Sequence, residues 1–203
     1  MAEPIIHHRT KGFEAVLGEV REKLKKVFQT KNEVLLLGSV GSGGMEAALV
    51  NCLSAGDKII AVVSGKFGER WRDQAKTFGL NVIELNVPWG QAVAVSDVKK
   101  LLDQNSDVKA VLCQACETST GVYHPVKELG ELIQKYPNTL LMVDAITALG
   151  ITDIRTDEWH LDVVVTGSQK ALMLPPGLAM ICLSDKAWKL AESSKTPKYY
   201  FNL

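Results

Sequence analysis

A lysine stands in the middle of the apolar stretch DVVVTGSQKALMLPPGLAMICLS, residues 162–184. Lysine is almost never fully buried without a partner. A lysine desolvated among apolar neighbours loses basicity and becomes a nucleophilic amine, which is what a Schiff base with a carbonyl requires. Lys170 follows a β-branched run and a Gly-Ser-Gln turn, so it is expected just beyond the end of a strand. The plain alternative is a stem that snorkels to the surface. Asp144 ends a second apolar run, TLLMV. An unpaired carboxylate there carries a desolvation penalty, so a cation or several donors should face it. Its alternative role is a cap for the following AITALG. A third feature is the loop GSVGSGG, residues 38–44, which runs into a helix expected to begin near Met45. Its amides and the helix dipole form a natural anion site. The same glycines would also serve a turn needing positive φ angles. The loop is not a Walker A motif, because no Gly-Lys-Ser/Thr follows. It also fails G-x-G-x-x-G, since Glu46 stands where the third glycine belongs.

Each feature alone has a bland reading; together they define one chemistry. A lysine for a covalent bond to a carbonyl carbon, an aspartate for a pyridinium nitrogen and a glycine-rich helix start for a phosphate are the groups that pyridoxal phosphate needs from a protein. Phe67, after KIIAVVSG, adds a flat side chain able to stack on the ring, with core packing as its alternative.

These groups need a scaffold that brings strand ends together. After an opening helix over Phe13–Phe28, apolar strands and helices alternate. The strands are EVLLLG, KIIAVVSG, NVIELNV, VKAVLCQA, TLLMVDA, LDVVVTGS and LAMICLS. Between them stand GGMEAALVNCL, ERWRDQAKTFG, SDVKKLLDQ with a Ser-Asp cap, and PVKELGELIQKY opened by Pro125; DKAWKLAES closes the series. Alternating βαβ units imply a mostly parallel seven-stranded sheet with helices on both faces. Only QKALMLPPG separates LDVVVTGS from LAMICLS, too short for a parallel crossover, so one antiparallel strand is expected. In open α/β sheets ligands bind beyond the carboxyl ends of the strands. The segments leaving those ends here are GSVGSGG, SGKFG, ETSTG, DAITALG and TGSQK.

Composition narrows the setting. The chain has 203 residues, 46% hydrophobic and 23% charged, which suits one α/β domain over 1–203. Lys plus Arg and Asp plus Glu both number 23, so nothing argues for nucleic acid or an anionic membrane as partner. No apolar run approaches the roughly 18 residues of a membrane span, and no secretory h-region opens the chain, so a cytoplasmic protein is expected. CQAC, residues 113–116, matches C-x-x-C but lies within an expected strand, where residues three apart point to opposite faces. It is read as structural.

The motifs GSGGMEAALVNCLSAGDKI, SGKFGERW, ETSTGV, VDAITALG, LDVVVTGSQKAL and PPGLA resemble those of class V aminotransferases. The likeness is to the serine–pyruvate and alanine–glyoxylate branch, and it runs from HHRT to KYYFNL. It implies the large domain of a fold-type I pyridoxal-phosphate enzyme, normally a homodimer with active sites at the subunit interface. By that resemblance Lys170 forms the Schiff base and shuttles the proton at Cα, and Asp144 partners the pyridine nitrogen. Phe67 stacks on the ring and Ile146 packs beneath it. Gly41, Ser42 and Gln169 meet the phosphate, and Thr118 lies near the ring 3′-oxygen. Gln169 before the lysine speaks against cysteine desulfurases, which usually have histidine there. Val40 replaces a serine usual in the phosphate loop and removes a donor.

The resemblance further implies that the family's N-terminal Gly-Pro segment, its small domain with the arginine that grips the substrate carboxylate, and the partner subunit's phosphate contacts lie outside these 203 residues. The leading expectation is therefore transamination between a small amino acid, such as alanine or serine, and a 2-oxo acid, such as glyoxylate or pyruvate. The alternatives are a cofactor-binding module with little turnover, a structural domain that no longer binds cofactor and, more distantly, a nucleotide-binding Rossmann domain. Exposed apolar surface left without its partner would drive self-association.

Overall fold

The computed structural model describes residues 4–203. Its elements are α1 (Lys11–Phe28), β1 (Val34–Leu37), α2 (Gly41–Cys52), β2 (Lys58–Val63), α3 (Lys66–Thr77), β3 (Asn81–Asn86) and α4 (Val95–Gln104), then β4 (Val108–Gln114) and the short pair β5 (Cys116–Glu117) and β6 (Val122–Tyr123). The chain closes with α5 (Val126–Ile133), β7 (Leu140–Asp144), β8 (Val163–Gly167), β9 (Ala179–Leu183) and α6 (Asp185–Ala191). Seven strands form one sheet in the order β1-β9-β8-β7-β4-β2-β3. Strands β8, β7, β4, β2 and β3 run parallel, and β9 is antiparallel to both of its neighbours. The α/β class, the seven strands and the single reversed strand after the short QKALMLPPG connection are as the sequence predicts.

The strand interiors show why the apolar runs are unbroken. Leu141 and Val143 of β7 face a core shared with α1, α4 and α5, whereas Leu140 and Met142 face one shared with α2, α3 and α6. Both faces are covered by helices, so alternate residues on either side must be apolar. Among the described residues no helix is long and apolar enough to cross a membrane.

Several boundaries differ from expectation, each for a local reason. Helix α1 begins two residues before Phe13, because the Thr10 hydroxyl accepts from the Phe13 N–H at 3.3 Å. Helix α2 begins at Gly41, not near Met45, so the glycines lie inside its first turn. None of Gly38, Gly41, Gly43 and Gly44 has a positive φ; tight packing, not turn geometry, requires them. Helix α3 begins at Lys66, three residues before Glu69, which places Phe67 on the helix. Helix α4 starts at Val95 with Ala94 at the cap and no side-chain bond there. Burial of Val93 and Val98 sets that start, and the Ser-Asp pair lies inside the helix. Strand β4 stops at Gln114, so Cys113 and Cys116 do not point to opposite faces; both contact the α1/α4/α5 core, and all four cysteines are free thiols.

Candidate active site

Chain order sets the location of the site. From β2 the sheet grows outward to β3, whereas β4 is followed on its other side by β7 and β8. Order therefore reverses between β2 and β4, and open α/β sheets bind ligands beyond the carboxyl ends at such a point. Those ends are Val63, Gln114, Asp144 and Gly167.

Asp144 and its strand neighbour Gln114 are paired in register, so their side chains leave the same face. Asp144 is 4% exposed, and its Oδ1 accepts from the Ile146 N–H at 3.0 Å. AITALG does not form a helix; the carboxylate closes a local turn instead of capping one. Burial pushes Asp144 up to about 6, the Ile146 amide works against that, and the negative charge of Glu117 adds to it. Arg70 and Lys170 pull it down. A carboxylate in this setting calls for a cationic partner.

The start of α2 packs onto the same place. Among the described residues the Gly41 and Ser42 amides have no acceptor, while those of Gly43 and Gly44 reach the Val40 carbonyl at 2.8 and 3.4 Å. Two unpaired N–H groups thus remain at a helix start. Val40 is the cap residue, 40% exposed, and contributes no side-chain bond. A Cβ on Gly41 would collide with the Ile146 side chain, and one on Gly44 would lie 2.6 Å from Val165 Cγ1. Gly167 stands against both the Gly41 amide, 3.4 Å from where its Cβ would be, and Gln169 Oε1, 2.9 Å from that point. Gln169 Oε1 is buried without a hydrogen-bond partner. Gly41, Ile146 and Gln169 are thereby brought together beside Asp144.

Phe67 and Thr118 complete the surround. The Phe67 ring is half-buried on α3, with the Arg70 guanidinium 4.8 Å from its centroid. Arg70 Nη1 donates to Ser42 Oγ at 3.2 Å, tying α3 to the start of α2. The Thr118 hydroxyl meets that of Thr147 at 2.9 Å, next to Ile146. Lys170 follows β8 as expected, but it is exposed, not desolvated among apolar neighbours. The backbone after Gly167 turns outward: Ser168 Oγ donates to the Pro175 carbonyl at 2.7 Å and the Met173 N–H reaches the Lys170 carbonyl at 2.9 Å. That turn carries Lys170 out of the apolar sequence that surrounds it.

Sequence reasoning passed over three residues. Glu117, fully buried, accepts from the Phe67 and Gly68 N–H groups; an acid beside a Ser/Thr run and opposite a glycine-bounded helix start was the available signal. Arg70 lies three residues from Phe67 on one helix, spacing that places both on one side. Gln114 is fully buried with both amide atoms unpaired, and a polar residue ending an apolar strand marks it. Nearby, His124 is committed: its Nδ1 accepts from the Val93 N–H at 3.1 Å and its Nε2 meets Ser64 Oγ at 2.8 Å. Burial pushes its pKa down, with Glu117 opposing.

Known proteins share this sequence pattern and fold. The family model described as aminotransferase class-V matches residues 3–197. The chain is 41% identical to the soluble hydrogenase 42 kDa subunit of Anabaena cylindrica, covering 100% of this chain and 54% of that protein. It is 38% identical to the L-aspartate–glyoxylate aminotransferase of Paracoccus denitrificans, covering 98% and 52%. The crystal structure of an alanine–glyoxylate aminotransferase from Nostoc sp. superposes with a TM-score of 0.93 at 29% identity, covering 98% of this chain and 53% of that one. The chain spans about half the length of the curated relatives it matches. With the family model matching nearly end to end on a sheet that gathers Asp144, Gly41 and Gln169 at one switch point, this chain belongs to the class-V aminotransferase family.

Proposed function

We propose that this chain binds pyridoxal phosphate and serves transamination between a small amino acid and a 2-oxo acid such as glyoxylate or pyruvate. The observation that carries the reading is Asp144: a buried carboxylate, pushed up to about 6, at a strand end of the same switch point where the start of α2 leaves two amides free. The residues fit the cofactor on two further counts. Glycines at 41 and 44 let the start of α2 close onto Ile146 and Val165 and bring its free amides to the strand ends, and the Gln169 side-chain amide stands against Gly167 beside them. When bound, the cofactor supplies an electron sink for the bond broken at the substrate Cα.

The protein's part is positioning and proton control. The Gly41 and Ser42 amides, with the Gln169 side-chain N–H2, would bind the phosphate. Asp144 keeps the pyridine nitrogen protonated through its negative charge. Phe67 and Ile146 would hold the ring, and the Thr118 hydroxyl would serve its 3′-oxygen. Lys170 is the amine that attaches the cofactor and then moves the substrate Cα proton; its exposed position leaves it free to swing between the two tasks. The relatives' names, aspartate–glyoxylate and alanine–glyoxylate, support glyoxylate as acceptor and leave the donor open between them. A homodimer is part of the proposal.

The test is direct. Mixing the protein with pyridoxal phosphate should produce a visible absorption band, and borohydride reduction followed by peptide mapping should place the label on Lys170. L-alanine or L-serine should shift the band, with 2-oxo acid turnover. A band that no amino acid shifts would leave a binding module without turnover. Absence of the band would end the reading, and a label on another lysine would overturn the assignment of Lys170.

A further inference from the structure

One buried carboxylate fastens together the segments that leave β2 and β4. Glu117 is 0% exposed. Its Oε2 accepts from the Gly68 N–H at 2.9 Å and the Phe67 N–H at 3.1 Å, and its Oε1 from the Ser119 N–H at 3.1 Å and the Ser119 hydroxyl at 2.7 Å. Ser119 Oγ in turn accepts from the Lys66 N–H at 2.9 Å. The first three amides of α3, which no helix satisfies internally, therefore all end on Glu117 and Ser119.

The backbone is shaped around this contact. A Cβ on Gly65 would lie 2.5 Å from Ser119 Oγ and 2.6 Å from Glu117 Cγ and Cδ, so a side chain there would occupy the carboxylate's space. A Cβ on Gly68 would lie 2.7 Å from the Val62 carbonyl oxygen, so α3 can approach β2 this closely only with glycine. Of the two glycines of SGKFG, Gly65 serves the fit to ETST and Gly68 the fit of α3 to β2.

Capping alone does not account for the choice of residue. A serine or aspartate at the cap position would satisfy one of these amides locally, without reaching another element. Glu117 instead reaches across from the neighbouring strand and buries a charge that no salt bridge among the described residues balances. The helix dipole and the donors compensate it. What the long reach adds is a fixed separation between two elements. Phe67 donates to Glu117 directly, and Thr118 is the next residue in the chain.

We propose that Glu117 is a positioning residue: its carboxylate sets Phe67 against Thr118 and so fixes the slot that receives a flat heteroaromatic ring. This rests on the cofactor reading above. Glu117 itself acts through the α3 backbone and does not touch the ring.

Glu117→Gln preserves shape but turns one oxygen into an amide that opposes N–H donors. In cofactor-free protein, hydrogen exchange at Phe67, Gly68 and Ser119 should accelerate about tenfold relative to α1. On titration with pyridoxal phosphate, the dissociation constant should rise about tenfold, and the visible circular dichroism of the bound cofactor, which reports ring orientation, should change. Ser119→Ala removes only part of the contact and should give smaller changes in the same direction; it carries the test if the glutamine variant does not fold. Unchanged exchange would remove the clasp. Faster exchange with unchanged affinity and dichroism would reduce Glu117 to a structural cap and overturn the proposal. Failure of the unsubstituted protein to bind the cofactor would instead overturn the functional reading, and this inference with it.

Discussion

Asp144 is destabilising to the fold in its charged form, and the sign follows from its surroundings. Its pKa rises from 3.8 to about 6, first through burial. The folded protein therefore holds a proton between pH 4 and 6 that the unfolded chain releases. Stability is lost as pH rises through that window, and the penalty is complete above it. The difference corresponds to about 3 kcal/mol. Asp144→Asn can still accept from the Ile146 N–H but carries no charge. In urea unfolding of cofactor-free protein, the variant should exceed the parent by up to about 3 kcal/mol at pH 7.5. The two should converge near pH 4. A constant difference across this range would show that Asp144 does not titrate as its burial requires. The residue that weakens the fold is the one assigned to a cationic ring, a trade expected where function and stability compete.

At the scale of elements, glycines separate sites of contact from sites of mere tolerance. Gly18, on the exposed side of α1, has nothing within 4 Å of where a Cβ would sit. Gly18→Ala should stabilise the protein by about 0.5–1 kcal/mol through helix propensity alone. Gly68 on α3 faces the Val62 carbonyl oxygen at 2.7 Å and Val63 Cα at 3.0 Å, both backbone atoms that cannot yield. Gly68→Ala should destabilise by about 2–4 kcal/mol. Thermal melts of the two variants should move in opposite directions, and a neutral Gly68→Ala would mean that α3 is free to lift from β2. The same contrast shows what the sequence made legible. Apolar runs declare strands buried on both faces, so the sheet and its single reversed strand could be read directly. Helix starts could not, since α2 and α3 begin early through contacts with Ile146, Val165 and Glu117 that are remote in the chain. Lys170 follows a strand end as its sequence context predicts, but its exposure is not legible there, because the Ser168 bonds that turn the backbone outward have no local signature.

At the scale of the whole molecule, the border of the site is apolar and open. Val40 is 40% exposed, Met173 90%, Leu174 53%, Leu178 42% and Tyr200 73%. Val40 lies on the glycine loop, and the Tyr200 hydroxyl reaches the Gly38 carbonyl at 3.4 Å on that same loop. Met173 and Leu174 belong to the turn after Lys170, where Met173 takes a left-handed φ of 52° and its N–H is held by the Lys170 carbonyl. An unbranched apolar side chain fixed outward in a strained backbone conformation is explained by contact with another surface more readily than by exposure to water. Self-association through this border is therefore expected, and a stable dimer would need roughly 1,200–2,000 Å² of buried area. Sedimentation should show mass rising with protein concentration, and Met173→Lys with Leu174→Lys should shift the protein toward monomer while leaving its far-ultraviolet circular dichroism intact. Monomer at every concentration would separate the apolar border from assembly, and association undiminished by the two lysines would place the interface on another face.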